Sequence, residues 1–268
     1  MLGQLLEHLD AVNKDSGDII EEITGTKFET LWDNLSRENL DFQKRVLSQE
    51  KFISHKLNKQ GLHLFRTVAA ELSVLNKRFT YICNHGVDDV NEYYSEFLEN
   101  GIIVLENKYH WFQNPDKELW DLLSMCAGIQ VHHQQFRRND LVHEAGDIQN
   151  ELHTDIFQPN VKTWLYLQDV KLEHGPTYFI YGSHINDERK LRFLYEMSNL
   201  PTGHPDIRDG SFPLKDYKKW GFEEPKPVLG KAGTYLICDT SGFHSRGYAK
   251  PGTVRSTAKL HYRFNPFE

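Results

Sequence analysis

Apolar residues in the first 80 positions recur every three or four residues, beginning with Leu5 and Leu9. This spacing places apolar side chains on one face of a helix. Residues 89–98 continue the pattern, and Asn100-Gly101 is a signal that ends a helix. Because amphipathic helices need an apolar surface to cover, we expect residues 1–100 to form a helical buttress against a sheet.

After Gly101 the pattern changes to short β-branched or aromatic runs separated by turn residues. Such runs are typical of a β-sandwich or barrel, and a double-sheet jelly roll of the cupin type fits their number. We therefore expect a mostly β fold with helices (α+β), in which residues 101–268 form a double-stranded β-helix and residues 1–268 form a single domain. The strands are predicted at residues 102–105, 129–137, 161–167, 177–181, 234–238 and 259–264, and further helices at 115–125 and 187–198.

Composition narrows the class of protein. The chain has 268 residues and a formal net charge of −7, which disfavours a general nucleic-acid-binding surface. Its three cysteines, Cys83, Cys126 and Cys238, are few and far apart, which favours reduced thiols and a cytoplasmic protein. We find no signal-peptide pattern at the start and no apolar run of membrane-spanning length, so no stable membrane insertion is expected.

The chemistry-bearing motif is H-x-D, which begins at His8, His153 and His204. Only His153 follows a β-rich run and precedes a strand signal, so His153 and Asp155 are predicted to turn inward at a strand end. The best third ligand is His244, on a late strand. Two histidines and one carboxylate on one face of an octahedron form the site of non-haem Fe(II) oxygenases, which leaves positions open for a co-substrate and O2.

A second feature lies eleven residues after His244, where Arg255 stands. A hairpin at residues 247–253, with Pro251-Gly252 in its turn, is predicted to return Arg255 to the pocket. A guanidinium there can hold a carboxylate with two parallel hydrogen bonds, which a lysine cannot make. Thr257 follows and can add a hydroxyl to the same carboxylate.

From Gly101 onward the chain resembles the phytanoyl-CoA dioxygenase family of Fe(II)/2-oxoglutarate oxygenases. The family shows an H-x-D motif, a tryptophan in the next strand, a G-x6-G-[ST]-H segment, a distal histidine and an arginine eleven residues later. The matching positions, in the same order, are His153 to Asp155, Trp164, residues 175–184, His244 and Arg255.

The resemblance implies that Fe(II) binds to the triad, that Arg255 binds the distal carboxylate of 2-oxoglutarate and that Trp164 lines the co-substrate pocket. It also implies oxidative decarboxylation to succinate and CO2, coupled to hydroxylation, because related halogenases lack the carboxylate ligand that Asp155 provides. In one departure, Arg246 stands where the family often has a small hydroxyl residue. Arg246 is therefore a rival of Arg255 for the carboxylate role.

The substrate is predicted less sharply. A strand at residues 129–137 would place His133, Gln135 and Arg137 on one face, where they could contact substrate. The later segments resemble a bacterial branch of the family that acts on cell-surface sugars, among them the hydroxylase of the lipopolysaccharide sugar Kdo. That favours a polar, anionic small molecule or sugar, whose charge Arg137, Arg189 and Arg192 could meet. The charged run at 187–192 is otherwise typical of a solvated helix face.

Two other classes remain open. The first is a cupin-like metalloenzyme that uses the same triad without 2-oxoglutarate, although such a site has no need of the carboxylate clamp at Arg255. The second is a non-catalytic jelly-roll module that binds a glycan or a partner protein, although burying the triad without a metal has a desolvation cost. The oligomeric state is not indicated by the sequence.

Overall fold

The structure is a computed structural model that describes residues 92–128, 130–131, 135–142, 146–155, 160–198, 200, 204–205 and 211–263. The helices predicted before residue 92 lie outside the described residues, so the buttress is described only at its last helix. That helix, α1, is Glu92–Asn100, so it overlaps the predicted helix 89–98 and ends at the predicted Asn100-Gly101 stop. In the described part of the chain, no helix is long and apolar enough to cross a membrane.

The described part of the chain contains ten strands, which form two five-stranded sheets whose pairings are all antiparallel. The predicted mostly β jelly roll with helices is therefore confirmed. In spatial order, sheet A consists of β1 (Ile102–Leu105), β8 (Tyr235–Asp239), β4 (Asn160–Tyr166), β10 (Val254–Arg263) and β2 (Arg137–Val142). In the same sense, sheet B consists of β6 (Ser211–Pro213), β3 (His153–Asp155), β9 (His244–Arg246), β5 (Thr177–Phe179) and β7 (Lys226–Val228).

Apolar side chains fill three layers. The first lies between the two sheets and includes Ile102, Tyr166, Phe179 and Leu236. The other two lie on the outer faces of the sheets. Successive side chains of a strand point to opposite faces, so apolar residues also point outward, where helices cover them. The helices are α2 (His110–Gln113), α3 (Lys117–Ala127) and α4 (Glu188–Ser198).

Sheet A is covered on its outer face by α1, α2 and α3. Trp111 of α2 is fully buried and meets Tyr235 of β8 edge to face, with ring centroids 5.4 Å apart. The outer layer of sheet B contains Phe193 of α4, which packs against Phe243 with ring centroids 5.0 Å apart. Cys126 and Cys238 are buried and are not in a disulfide among the described residues.

Four strands differ from their prediction. Strand β10 begins at Val254, before its predicted start at residue 259. The predicted strand 129–137 is displaced, because its described residues 130–131 and 135–136 are not in a strand and β2 runs from Arg137 to Val142. This strand is an edge strand that pairs only with β10, and its charged residues hide its strand character in the sequence. The two three-residue strands β6 and β7 were not predicted, because they are too short to show alternation.

The predicted hairpin at 247–253 is also wrong. A turn is present, in which the Thr253 N–H donates to the Lys250 carbonyl at 3.0 Å. However, β9 on one side pairs within sheet B and β10 on the other pairs within sheet A. The segment is therefore a crossover between sheets, and this crossover brings Arg255 into the space between them.

Gly101 joins α1 to β1 in a conformation that favours glycine. Its φ is +74°, and its N–H donates to the Phe97 carbonyl at 2.8 Å. A Cβ at this position would lie 2.5 Å from Nδ1 of His184. The His184 ring is itself fixed, because its Nε2 donates to the Leu98 carbonyl at 3.2 Å.

We expect Gly101→Ala to lower the free energy of unfolding by about 2–4 kcal/mol, because left-handed strain and crowding against His184 add. The matched control is Gly252→Ala, where φ is +84° and nothing lies within 4 Å of the added Cβ. The control should lose only the strain, about 1–2 kcal/mol. Urea denaturation measures both losses, and equal losses would contradict the role of His184.

Candidate metal centre

The predicted triad is assembled by two neighbouring strands of sheet B. His153 on β3 lies directly across from His244 on β9, and their ring centroids are 4.5 Å apart. Asp155 lies two residues after His153 and therefore shares its face of the strand. All three side chains are buried, and one ligand atom from each lies within 4.8 Å of the others. The geometry thus brings together the three residues that the sequence predicted.

Both histidine rings are oriented by backbone carbonyls. Nδ1 of His153 bonds to the Glu151 carbonyl at 2.7 Å, and Nδ1 of His244 bonds to the Gly242 carbonyl at 2.9 Å. A carbonyl only accepts, so each Nδ1 carries the proton and each Nε2 keeps a lone pair for a metal. Burial and the neighbouring charge of His153 lower the pKa of His244 to about 3, which keeps this ring neutral.

The Asp155 carboxylate is held through one oxygen. Its Oδ2 accepts hydrogen bonds from Asn160 Nδ2 at 2.8 Å, Lys162 Nζ at 2.7 Å and Thr240 Oγ1 at 2.5 Å. Burial raises the pKa of Asp155, but the charges of His244 and Lys162 and these hydrogen bonds outweigh burial, and the pKa falls to about 2. The carboxylate is therefore ionised at neutral pH, with its other oxygen available as a ligand.

On the other face of sheet B, the ammonium of Lys190 is enclosed beneath the triad. Lys190 is 1% exposed, so the prediction of a solvated face is wrong for this residue. Its Nζ donates to the Ser183 carbonyl at 3.1 Å, the Ser241 carbonyl at 2.5 Å and the Thr154 hydroxyl at 3.3 Å. It also lies 3.8 Å from the Phe243 ring centroid. Burial lowers its pKa to about 7.

These contacts connect the backbone on both sides of the triad. Thr154 lies between His153 and Asp155, and its hydroxyl donates to the Ser241 carbonyl at 2.5 Å. Ser241 stands between Thr240, which bonds to Asp155, and Gly242, whose carbonyl orients His244. Lys190 therefore fixes the turn that positions two of the three ligands.

A cavity of about 160 Å³ extends from His244 into the space between the sheets. Its volume is small beside the ~300–1,000 Å³ of pockets that enclose drug-sized ligands, so it suits a compact co-substrate. Residues from both sheets line it, and they are Asn139, Leu141, Gln149, Lys162, Thr163, Trp164, Thr177, His244, Ser245, Arg246, Arg255, Lys259, Leu260 and His261.

The two rival arginines differ in their partners. Arg246 forms an ion pair with Asp147. Arg255 is 3% exposed, and its buried Nε and Nη1 have no hydrogen-bond partner among the described residues. Burial lowers the pKa of Arg255 to about 10, so it remains a cation at neutral pH. A buried guanidinium with two unused donors calls for an anion.

Of the two other residues predicted to contact the co-substrate, one lines the cavity and one does not. Trp164 lines the cavity, half-buried on β4. Thr257 is fully buried, and its hydroxyl donates to the Asn139 carbonyl at 3.2 Å. Since this bond uses the hydroxyl proton, Thr257 in this arrangement supports the β2–β10 pairing and does not line the cavity.

The predicted substrate residues are only partly described. His133 lies outside the described residues. Gln135 is exposed and precedes β2, and Arg137 is exposed as the first residue of that strand. Arg189 already pairs with Asp187 at 2.6 Å and donates to a backbone carbonyl, so it is not a free cation.

Sequence reasoning missed the four residues that support the ligands, namely Asn160, Lys162, Thr240 and Lys190. Lys162 had a usable signal, because it alternates with Trp164 on a predicted strand and must share its face. Lys190 had none, because its burial depends on the packing of α4 against a distant turn.

No family model and no curated protein matches the chain. Among solved structures, EctD from S. alaskensis with 2-oxoglutarate and 5-hydroxyectoine is 16% identical, with 63% of this chain and 74% of that chain covered and a TM-score of 0.38. HygX from Streptomyces hygroscopicus with nickel and 2-oxoglutarate bound is 13% identical (65% and 87% covered, TM-score 0.35). The non-heme alpha ketoglutarate dependent epimerase SnoN from nogalamycin biosynthesis is 12% identical (63% and 78% covered, TM-score 0.40).

We expect Lys190→Met to weaken Co(II) binding by about 10- to 100-fold, because partners that orient metal ligands have effects of that size. It should also lower the free energy of unfolding by about 2–4 kcal/mol, since buried carbonyls lose their donor. Isothermal titration calorimetry of Co(II) and urea denaturation measure the two effects.

The control is Lys219→Met on the exposed surface, which should change neither quantity. Thr154→Val is a milder variant that removes only the hydroxyl between Lys190 and Ser241. It should weaken Co(II) binding in a protein that still folds. If stability falls in both buried variants while Co(II) affinity is unchanged, Lys190 serves the fold alone.

Proposed function

We propose that this chain is an Fe(II)- and 2-oxoglutarate-dependent dioxygenase that hydroxylates a C–H bond of a polar small molecule or sugar and releases succinate and CO2. One observation carries the proposal. A buried His153–Asp155–His244 triad borders, through His244, the cavity that Arg255 also lines, and the guanidinium of Arg255 has unused donors.

The donor set fits Fe(II). Two imidazole nitrogens and one carboxylate oxygen form a facial triad with open positions. A structural zinc site would close with four protein ligands, whereas the ligand cluster found among the described residues has three. The partners of the ligands are already in place, because both Nδ1 atoms and one Asp155 oxygen are hydrogen-bonded.

The cavity fits 2-oxoglutarate. The co-substrate is a compact dicarboxylate, and the wall of the cavity holds a cation without a partner at Arg255. Two parallel N–H···O bonds from one guanidinium match one carboxylate. Arg246 is the weaker candidate because its charge is already balanced by Asp147.

The residues of the chain would bind the metal, orient the co-substrate and exclude water from the site. Fe(II) with 2-oxoglutarate and O2 supplies the oxidising chemistry that splits the co-substrate and oxidises the substrate C–H bond. His153 and His244 present neutral Nε2 atoms, and Asp155 presents an ionised carboxylate. Trp164 packs against the apolar layer between the sheets and limits water beside the co-substrate.

The finer identity extends this proposal. The ordered motifs from His153 to Arg255 support membership of the phytanoyl-CoA dioxygenase-like oxygenases, and the resemblance to the branch acting on surface sugars, Kdo among them, favours a polar acid or sugar as substrate. Two buried free thiols and the composition favour a cytoplasmic protein. These points remain predictions.

The decisive measurement is anaerobic titration of Fe(II)-loaded protein with 2-oxoglutarate. We expect the weak visible charge-transfer band of the chelate in the wild type and its loss in His153→Ala, because that variant lacks a ligand. His110→Ala, on the exposed surface and outside the triad, should keep the band. Iron binding without the band would favour a cupin-like metalloenzyme, and no iron binding would favour a glycan-binding module.

A second prediction separates the two arginines. We expect Arg255→Met to raise the Kd of 2-oxoglutarate on the order of 100-fold, because it removes two charge-assisted hydrogen bonds worth ~1.5–3 kcal/mol each against water. Arg255→Lys should recover only part of this affinity, since an ammonium cannot bond in parallel. The same titration measures both variants.

The matched control for Arg255 is Arg246→Met, which removes a guanidinium from the wall of the same cavity. Its effect on the Kd of 2-oxoglutarate should be below about threefold, because Asp147 already balances Arg246. The reverse order of effects would assign the carboxylate to Arg246.

A further inference from the structure

Strand β10 has one deep end and one open end within the cavity. Its residues alternate between faces, so Arg255, Thr257, Lys259 and His261 share the face toward sheet B. Arg255 and Thr257 are buried, Lys259 is half-buried and His261 is exposed. The open end of the cavity therefore lies toward Lys259 and His261. Lys259 stands across from Trp164 on β4, one step along its face from Lys162, which bonds to Asp155 of the triad.

The charges on the lining are one-sided. Four cationic side chains, Lys162, Arg246, Arg255 and Lys259, line the cavity, and no aspartate or glutamate stands among its described lining residues. Lys162 and Arg246 each have a carboxylate partner just beyond the wall. Arg255 is assigned above to the co-substrate. Lys259 remains, with no ion pair or side-chain hydrogen bond to any part of the chain that the structure describes.

The neighbours of Lys259 destabilise its charged form. Arg137 lies directly across from it on β2, and like charges in that arrangement are destabilising. Burial and the charges of Lys162, Arg246 and Arg137 lower the pKa of Lys259. A half-buried cation among cations is stabilised by an anion, and the described residues offer none on this wall.

The bound co-substrate would not supply that anion. Fe(II), Arg255 and Lys162 carry four positive charges, whereas Asp155 and the two carboxylates of 2-oxoglutarate carry three negative charges. The bound co-substrate therefore leaves no anion for the charge of Lys259. Uncompensated charge in a partly dry site favours a ligand of opposite sign.

We propose that Lys259, with Arg137 beside it, forms an anion subsite that binds a carboxylate or phosphate group of the substrate. The inference rests on the proposed function and names its substrate class, a compact anionic molecule. Lys259 is a specificity residue in this proposal, because it holds the charged end of the substrate while the C–H bond to be oxidised lies toward the triad.

The experiment uses the anaerobic Fe(II)- and 2-oxoglutarate-loaded protein, in which a molecule bound beside the metal changes the visible band. The probes are matched in skeleton and differ in charge, namely gluconate against sorbitol and glycerol 3-phosphate against glycerol. In the wild type we expect at least one anion to bind at least tenfold more tightly than its neutral partner. Comparison of the two anions shows whether carboxylate or phosphate is preferred.

The variants then assign the effect to one residue. Lys259→Met should reduce the anion preference to below about twofold while the Kd of 2-oxoglutarate stays within about twofold of the wild type. Lys259→Arg should keep the preference, because it keeps the charge. Lys219→Met, exposed and outside the cavity lining, should match the wild type.

Three results would overturn the proposal. They are equal binding of anionic and neutral probes, an anion preference that persists in Lys259→Met, and a tenfold loss of 2-oxoglutarate affinity in that variant, which would place Lys259 in the co-substrate site. If the wild type gives no chelate band at all, the proposed function fails and the subsite falls with it. That result is distinct from a band that forms normally but shows no anion preference.

Discussion

The site and the packing of the two sheets depend on the same buried carboxylate. Asp155 belongs to sheet B, yet Oδ2 accepts from Asn160 and Lys162 on β4 of sheet A and from Thr240, which comes directly after β8. A buried carboxylate must be paired and hydrogen-bonded to be tolerated. The residue that would bind the metal therefore also joins the sheets at that end of the jelly roll, so the position of the ligand is set by the fold.

Successive side chains of strand β3 point to opposite faces of sheet B, and both faces contribute to the metal site. His153 and Asp155 point inward, where their ligand atoms cluster with that of His244, and Thr154 between them points outward to Lys190. The inner face supplies ligands, and the outer face anchors the turn at Ser241 through an enclosed ammonium. A loop without these contacts would leave His244 free to move. Lys190 and Thr154 both bond to the Ser241 carbonyl, and the turn that they hold keeps the His244 ring in place before a metal binds.

The sequence was most informative where chemistry and strand period coincide. The triad, Trp164 and Arg255 were predicted because few unrelated sequences contain these residue types in that order along the chain. The choice between Arg255 and Arg246 was not accessible, since it depends on Asp147, which pairs with Arg246 across 99 positions. The wrong positions of β2 and of the 247–253 hairpin have a similar cause. Charged edge strands and crossovers are specified by their partners rather than by local pattern.

The positions of Arg255 and Lys259 along strand β10 suggest that the anionic co-substrate binds before the anionic substrate. Arg255 and Lys259 are four residues apart on one face, which separates their Cα atoms by about 13 Å at the usual rise of a strand. Arg255 is enclosed, and Lys259 lies half-open at the mouth. A small dicarboxylate that reaches the enclosed cation and the metal leaves the outer cation unpaired. Co-substrate entering first would thus complete the inner half of the cavity, and the positive charge left at Lys259 would then select an anionic substrate.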